Sequence, residues 1–279
     1  MSQHVWPFIA PDVPSRSYYD DDDQTHQQTQ QDHAIETLYT TPIFRVSQAT
    51  GATKLDAGVL VIGLPGAGAL FLHAAFPHKR LVGVLVMPGA VEFGWTPASD
   101  MGTPGTAFYQ PESHPHMIVG LCWHAVSVER AYSWAKCVSE HVDAKQIVVL
   151  DSLSSGTYRP AEYEADEVAA PWLRKLSTSG SEKIDAVPYL EAPNMLIGMS
   201  AALLTLMEIS GHKSTYCYAS LLEKMHGKER PSEESLKAYE QVLSSFNIKI
   251  DTAIKYSAAL SQYLTLFKGR YNTDNAMYL

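Results

Sequence analysis

The strongest constraint on the fold is an alternation of continuous apolar runs with helix-like segments, which starts at residue 54. The predicted strands occupy residues 59–62, 80–88, 117–124 and 146–151, and the predicted helices between them occupy 66–76 and 128–142. Strands without polar alternation have to be buried on both faces. The pattern therefore predicts an α/β fold, in which a central sheet is flanked by helices.

The second half of the chain contains a helix that is apolar nearly all round. Asn194 is its predicted N-cap, residues 196–209 form the helix, and Gly211 ends it. Such a helix is expected to be buried on most sides. A strand at 214–219 follows, and then two amphipathic helices, one capped by Ser232 and one starting near Asp251. Residues 88–115 and 152–190 are interpreted as loops.

The composition divides the chain into three regions. Residues 1–40 are acidic and rich in glutamine, with few apolar residues after Ile9, and are predicted to be a disordered tail. Residues 41–268 are predicted to form a single α/β domain. Residues 269–279 are polar, lack helical or strand periodicity, and are predicted to be a flexible C-terminal tail.

Charge and cysteine content restrict the partners and the compartment. The net charge is −9 and no run of basic residues occurs, so neither nucleic acid nor an anionic membrane is expected as a partner. The three cysteines show no C-x-x-C spacing, which argues against a disulfide framework and for a reducing compartment. With no secretory signal and no membrane helix expected, the predicted location is the cytoplasm.

The stretch VLVIGLPGAGALFL at 59–72 has the layout of a phosphate-binding loop. Gly63 and Gly68 have the spacing of a Walker A motif, but Ala69 and Leu70 occupy the positions that need Lys and Ser or Thr. Without that lysine and hydroxyl, the loop can neither reach the phosphates nor hold magnesium. We interpret it as a tight turn between strand and helix, and expect no nucleotide cofactor.

Two other groups of residues have the chemical types found in catalytic or metal sites. GMSAA at 198–202 is close to the G-x-S-x-G elbow of α/β-hydrolases, but Ser200 falls inside a helical run and His212 and His226 are the only histidines after it. His114, His116, Cys122 and His124 lie close together in the sequence, yet without the spacing of a known metal site. We predict neither a catalytic residue nor a metal ligand.

The chain ends on Met277, Tyr278 and Leu279, an apolar residue, a tyrosine and a free carboxylate. Ends of this hydrophobic-Tyr-X type plug pockets between adjacent subunits of the proteasome α-ring. An aromatic anchor combined with a terminal carboxylate that meets a lysine is a sound design for such a plug.

Three segments together resemble the proteasome assembly chaperones: LEAPNMLIGMSAALL at 190–204, YCYAS at 216–220 and the final MYL. The resemblance implies a non-catalytic chaperone with a nucleoside-phosphorylase-like fold and no cofactor, in the cytoplasm and also the nucleus. It further implies pairing with assembly chaperone 2 and binding to proteasome α-subunits on the outer face of the α-ring. Met277, Tyr278 and Leu279 would then be the residues that enter an inter-subunit pocket.

Surplus apolar surface independently favours an obligate partner. The helix at 195–209 and the amphipathic pair at 232–267 offer more apolar face than one sheet needs. Two other classes of function stay open at this point. One is an α/β hydrolase or nucleoside-processing enzyme, and the other is a generic scaffold protein whose C-terminal residues match by coincidence.

Overall fold

A mixed β-sheet forms the centre of the protein. The computed structural model describes residues 41–47, 53–88, 105–159, 173–184, 187–225, 228–250 and 254–267. The strands are β1 (Ile43–Val46), β2 (Leu55–Gly63), β3 (Lys79–Val86), β4 (Gly105–Pro111), β5 (Met117–Cys122), β6 (Val142–Ser154), β7 (Leu173–Ser177), β8 (Thr215–Met225) and β9 (Lys228–Arg230). The helices are α1 (Ala67–Ala75), α2 (Val128–His141), α3 (Met199–Ile209), α4 (Glu233–Ser245) and α5 (Tyr256–Phe267).

The strand order is β1-β3-β4-β5-β2-β6-β8-β7, and β9 pairs with β8. Strands β5, β2, β6 and β8 run parallel and form the middle of the sheet. Antiparallel strands extend it on both sides, with β4, β3 and β1 on one and β7 on the other. In the middle strands the buried residues are mostly aliphatic, which is typical of a sheet covered on both faces.

Helices cover both faces of this sheet. On one face, α1, α4 and α5 enclose a core that includes Phe71 and Tyr239. On the other face, α2 and α3 enclose a second core that includes Trp134 and Leu203. Trp134 is fully buried, and its indole N–H donates to Thr106 Oγ1 at 2.9 Å. The predicted α/β architecture, a central sheet flanked by helices, is therefore confirmed.

Two strands lie in segments for which the sequence predicts loops. β4 falls within 88–115 and β7 within 152–190. β7 reads LRKLS, and its charged residues Arg174 and Lys175 are nonetheless buried. Both loop predictions were wrong. Strand β4 is largely buried between β3 and β5, and β7 is accepted in the fold because partners from elsewhere in the chain engage its charged groups.

Helix α3 differs from its prediction in both its start and its burial. It begins at Met199 after Gly198, and Asn194 is not its cap. Its buried residues are Met199, Ser200, Leu203 and Met207, whereas Ile209 is 80% exposed. The expectation of burial on most sides was therefore wrong for the chain alone. Gly211 does end the helix, with φ at 75° and its N–H donating to Glu208 O.

Helix α4 begins as predicted. The Ser232 hydroxyl accepts from the N–H of Ser235, and the Ser235 hydroxyl accepts from the N–H of Ser232, which forms a capping box. Glu233 and Glu234 occupy the first turn, where the helix dipole favours negative charge.

Several sequence-based predictions concern residues outside the described ranges. These are the disordered tail at 1–40 and the flexible tail at 269–279, and they stay predictions, as do the limits of the domain. The helix start predicted near Asp251 was wrong, because residues 254–255 are not helical and α5 begins at Tyr256. Among the described residues, no helix is both long and apolar enough to span a bilayer.

Candidate functional site

The glycine-rich turn after β2 packs α1 directly against the sheet. A Cβ atom on Gly68 would lie 2.1 Å from the carbonyl oxygen of Leu150 in β6. A Cβ atom on Gly63 would lie 2.5 Å from the carbonyl oxygen of Gly68. Real Cβ atoms do not approach backbone oxygens this closely, so both positions accept only glycine without a backbone shift.

Three backbone amides of this turn bond to the protein itself. Leu64 N–H donates to Leu150 O at 2.9 Å, and Ala69 N–H donates to Leu64 O at 2.9 Å. Ala67 N–H, at the start of α1, faces the hydroxyl oxygen of Ser152 at 3.3 Å. A phosphate loop needs such amides directed at its ligand. These contacts support the interpretation of the turn as a packing device.

We expect no binding of ATP or GTP in the micromolar range, with or without magnesium. Ala69 and Leu70 lack the required ammonium and hydroxyl, both are fully buried, and the amides of Leu64, Ala67 and Ala69 are engaged. Isothermal titration of the purified chain with each nucleotide tests this, with a known P-loop protein as the positive control. A micromolar dissociation constant would contradict it.

Polar side chains meet at the carboxyl end of β6, next to the same turn. Ser200 Oγ, in the first turn of α3, donates to Asp151 Oδ2 at 2.5 Å, and Ser152 N–H donates to Asp151 Oδ1 at 2.7 Å. Desolvation raises the pKa of Asp151 above its usual value, against the lowering effect of these two hydrogen bonds.

A second set of hydrogen bonds ties the opposite helical layer to the same point. The Tyr239 hydroxyl, from α4, hydrogen-bonds to the backbone carbonyl of Asp151 and lies 2.8 Å from Ser220 Oγ in β8. Burial raises the pKa of Tyr239 and of Cys217, which lies next to Asp151. The cluster thus connects β6 and β8 to α3 on one face and to α4 on the other.

Among the described residues, this geometry does not form a hydrolase triad, and His226, the second histidine considered for one, lies outside them. Ser200 is fully buried in a helix, and its hydroxyl donates to a carboxylate. The ring of His212 lies 2.8 Å from Thr215 Oγ1 and 2.9 Å from Ala144 O, at the other end of α3. A triad needs a histidine between the serine and the acid. Asp151 was missed as a site residue, although the sequence shows a buried strand that ends on it.

The histidines and cysteine considered for metal binding do not converge. His116 is exposed before β5, whereas Cys122 is buried at the end of that strand and donates to the backbone oxygen of His124. A strand of this length separates its ends by roughly 15–20 Å. Within the described ranges, no group of three or more candidate ligands could hold a metal ion.

The layer that contains α2 and α3 carries large apolar side chains on its outer side. On α2 these are Val128 and Tyr132, and around α3 they are Met195, Ile197 and Ile209. The two helices contact each other and share one core. Several large apolar residues exposed on one layer make that layer a candidate surface for binding another protein.

The predicted pocket-binding residues Met277, Tyr278 and Leu279 lie outside the described residues. The structure therefore places none of them, and their role stays a prediction. The polar cluster at Asp151 was not named as a site from the sequence, whereas the helix at 195–209 was named there as a source of surplus apolar surface for a partner.

Comparison with known proteins identifies the family. A family model described as proteasome assembly chaperone 4 matches residues 94–277, which is more than half of the chain. The fold and this match define a protein of the assembly chaperone class. The chain belongs to the proteasome assembly chaperone family, so the resemblance seen in residues 190–204 and 216–220 is confirmed.

Two curated relatives are named proteasome assembly chaperone 1. The chain is 26% identical over 168 residues to proteasome assembly chaperone 1 of Danio rerio, covering 59% of this chain and 57% of that protein. It is 24% identical over 142 residues to proteasome assembly chaperone 1 of Xenopus laevis, covering 50% of this chain and 46% of that protein. The match thus spans about half the length of these curated relatives.

A solved structure shares the fold. It is a protein of unknown function from Thermoplasma acidophilum, with a TM-score of 0.55 and 16% identity. The superposition covers 83% of this chain and 95% of that one.

Proposed function

We propose that this protein is a non-catalytic chaperone for assembly of the proteasome core particle. The observation that carries the proposal is the family match over residues 94–277. The packing role of the Gly63–Gly68 turn and the buried hydroxyl of Ser200 support a binding function over an enzymatic one. As part of the proposal, the protein acts in the cytoplasm and the nucleus.

The proposed working unit is a heterodimer with assembly chaperone 2. Its support is the exposed apolar surface of the α2 and α3 layer, where Met195 and Ile197 are each 73% exposed. Apolar side chains at this density are costly in water and gain free energy when a partner covers them.

The proposed target is the outer face of the proteasome α-ring. The tail at 269–279 could extend roughly 30 Å at about 3.3 Å per residue, which is enough to reach a pocket beyond the domain. Met277 would contact the pocket wall, the Tyr278 ring would pack inside it, and the Leu279 carboxylate would meet a lysine.

Affinity purification followed by mass spectrometry tests the function as a whole. The tagged full-length chain is expected to recover proteasome α-subunits together with assembly chaperone 2. Recovery of neither would contradict the proposal and would favour a generic scaffold protein. Recovery of a metabolic substrate or a measurable hydrolase activity would favour an enzyme.

Deletion of Met277, Tyr278 and Leu279, or Tyr278→Ala, is expected to weaken α-ring binding by at least about tenfold, or roughly 1.4 kcal/mol. The reason is the loss of an aromatic anchor or a charged partner at a buried contact. Tyr271→Ala, in the same tail, is the matched control and should leave the affinity unchanged. Surface plasmon resonance on immobilised α-rings measures the effect, and equal affinities for wild type and deletion would exclude this anchor.

A further inference from the structure

The chain just before α3, residues 187–198, is fixed to the sheet at one end by backbone pairing. Lys175 N–H donates to Pro188 O at 2.9 Å, and Leu190 N–H donates to Lys175 O at 2.9 Å. The Lys175 ammonium lies 5.1 Å from the centre of the Tyr189 ring. The 187–198 segment therefore occupies part of the outer edge of β7.

Glu191 holds the middle of the segment. Its Oε2 accepts from Arg174 Nε at 3.0 Å, and its Oε1 accepts from the Tyr158 hydroxyl. The Arg174 side chain is 10% exposed and that of Glu191 is 21% exposed. Partial burial acts to raise the pKa of Glu191, but hydrogen bonds from Tyr158, the backbone and Arg174 outweigh it and lower the pKa. An ionised carboxylate thus joins the segment to β7 and to the chain after β6.

Asn194 fixes the far end of the segment. Its Oδ1 accepts from Arg159 N–H at 2.7 Å, and its Nδ2 donates to Arg159 O at 2.7 Å and to Glu191 O at 3.0 Å. Leu196 packs against the core that α2 and α3 share. The side chain that was predicted to cap α3 therefore clamps two separate stretches of backbone together.

This clamped segment nevertheless exposes its largest apolar side chains. Met195 and Ile197, on either side of the inward-facing Leu196, are each 73% exposed. Fixing apolar groups in water gives the isolated chain no stabilisation. It does stabilise a complex, because the conformational entropy of the contact residues is already lost before the partner binds.

The outer face of α3 continues this surface and is nearly uncharged. Its only charged residue is Glu208, whose carboxylate accepts from Ser179 N–H at 2.7 Å and Ser179 Oγ at 2.6 Å. In contrast, α2 and α4 carry exposed ion pairs along their outer faces, Lys136–Glu140 and Lys237–Glu233. Solvent-facing helices normally carry such charges, so α3 has the composition of a covered helix.

We infer that the 187–198 segment and the outer face of α3 together form the contact with the second chaperone subunit. Met195 and Ile197 are the anchors of this contact, and Glu191 and Asn194 are its positioning residues. The inference rests on the proposed heterodimer and adds the surface that forms it.

The occupant is a folded subunit with an apolar, uncharged face. An extended peptide would add to a free strand edge, but residues 188–190 already pair with β7 there. An acidic ligand would find no basic residue on α3, and a basic ligand would find only Glu208, whose carboxylate already accepts from Ser179. The exposed Met195 and Ile197 side chains, next to a helix that carries a single charged residue, match the apolar central part of a protein–protein interface.

The direct test is Ile197→Asp in the full-length chain. Co-expression with assembly chaperone 2 reports complex formation, and titration with it measures the affinity. We expect binding to weaken by at least about tenfold. The matched control is Ile43→Asp, since Ile43 is 54% exposed on β1 at the opposite end of the sheet. That variant should bind within about twofold of wild type, and both should keep the wild-type melting temperature.

Asn194→Ala tests the positioning role. It leaves the anchors in place and is expected to weaken subunit binding by about threefold to tenfold. Asn194→Asp keeps the acceptor for Arg159 N–H and should recover part of the loss. A purely structural role would instead lower the melting temperature without changing the affinity measured well below it, and would overturn this assignment.

The outcomes separate the inference from the function. If wild type binds assembly chaperone 2 and Ile197→Asp binds equally well, the surface is wrong and the proposed function stands. If wild type binds neither assembly chaperone 2 nor proteasome α-subunits, the proposed function fails and the inference with it. If Ile197→Asp abolishes self-association in a chain that ignores assembly chaperone 2, the occupant is a second copy and the inference is overturned.

Discussion

Gly68→Ala is expected to destabilise the domain by about 3 kcal/mol or more, and the variant should express mainly as unfolded or aggregated protein. The new Cβ would lie 2.1 Å from the Leu150 carbonyl oxygen, a backbone atom in the central strand β6. Helix α1 would have to move away from the sheet, which would open the core around Phe71. Urea denaturation followed by circular dichroism measures the loss.

Gly198→Ala is the matched control. Gly198 also precedes a helix, but its φ is +70° and a Cβ there would meet nothing within 4 Å. Only its backbone conformation, with φ at 70° and ψ at −132°, opposes the substitution, and this strain costs about 1–3 kcal/mol. A loss for Gly68→Ala no larger than that for Gly198→Ala would contradict the packing interpretation of the turn and would reopen a ligand role for it.

Asp151→Asn is expected to stabilise the domain at neutral pH by about 2 kcal/mol. The amide keeps an acceptor for Ser152 N–H, and the Ser200 hydroxyl can accept from its NH₂ group. The variant removes the cost of desolvating a carboxylate that lies between two helical layers. Thermal and urea unfolding, measured from pH 4 to pH 8, test the effect.

The sign of the pH dependence follows from the raised pKa of Asp151. Below the unfolded-state pKa of about 4, both states bind the proton and the acid contributes its full stability. As the pH rises through the higher folded-state pKa, that contribution is lost. The advantage of Asp151→Asn should therefore be small near pH 4 and should grow toward pH 8.

Asp143→Asn is the control for this series, since Asp143 is an exposed residue of the same strand. It should change stability by less than about 0.5 kcal/mol at every pH. A loss of stability in Asp151→Asn at pH 8, or an effect independent of pH, would show that the ionised carboxylate is instead a net stabilising partner of Ser200.

The middle of the sheet could be predicted from the sequence because its strands need no information from elsewhere. Strands β2, β5 and β6 are apolar over most of their length, since both faces are covered by helices. The start of α4 could also be predicted, because the Ser232 capping box involves only neighbouring residues. Local patterns of this kind do not depend on the tertiary structure.

Strand β7 could not be predicted because its stability depends on distant residues. Arg174 and Lys175 are acceptable inside the fold only with Glu191 and Tyr189 beside them. Asn194 also depends on a distant residue. Its side chain is suited to cap a helix, but its Oδ1 instead accepts from the N–H of Arg159. A local reading cannot anticipate either pairing.

The candidate site was harder to predict than the fold for a different reason. An apolar helix such as α3 looks the same in sequence whether its own domain or another chain covers it. The sequence showed the surplus of apolar surface, and the structure showed where it lies, around Met195, Ile197 and Ile209. The polar cluster at Asp151 requires two strands, β6 and β8, and two helices, α3 and α4, to be assembled first.

The position of β2 at the middle of the sheet also affects how the chain is synthesised. Val59 pairs with Met117 on one side, and Leu60 pairs with Ile147 on the other. Roughly 60 and 90 residues must leave the ribosome before these pairings can form, which takes several seconds or more at about 5–20 residues per second. During that time the apolar run of β2 has neither neighbour, so nascent chains are expected to depend on general chaperones such as ribosome-bound holdases. A member of an assembly chaperone family would therefore itself depend on other chaperones during its synthesis.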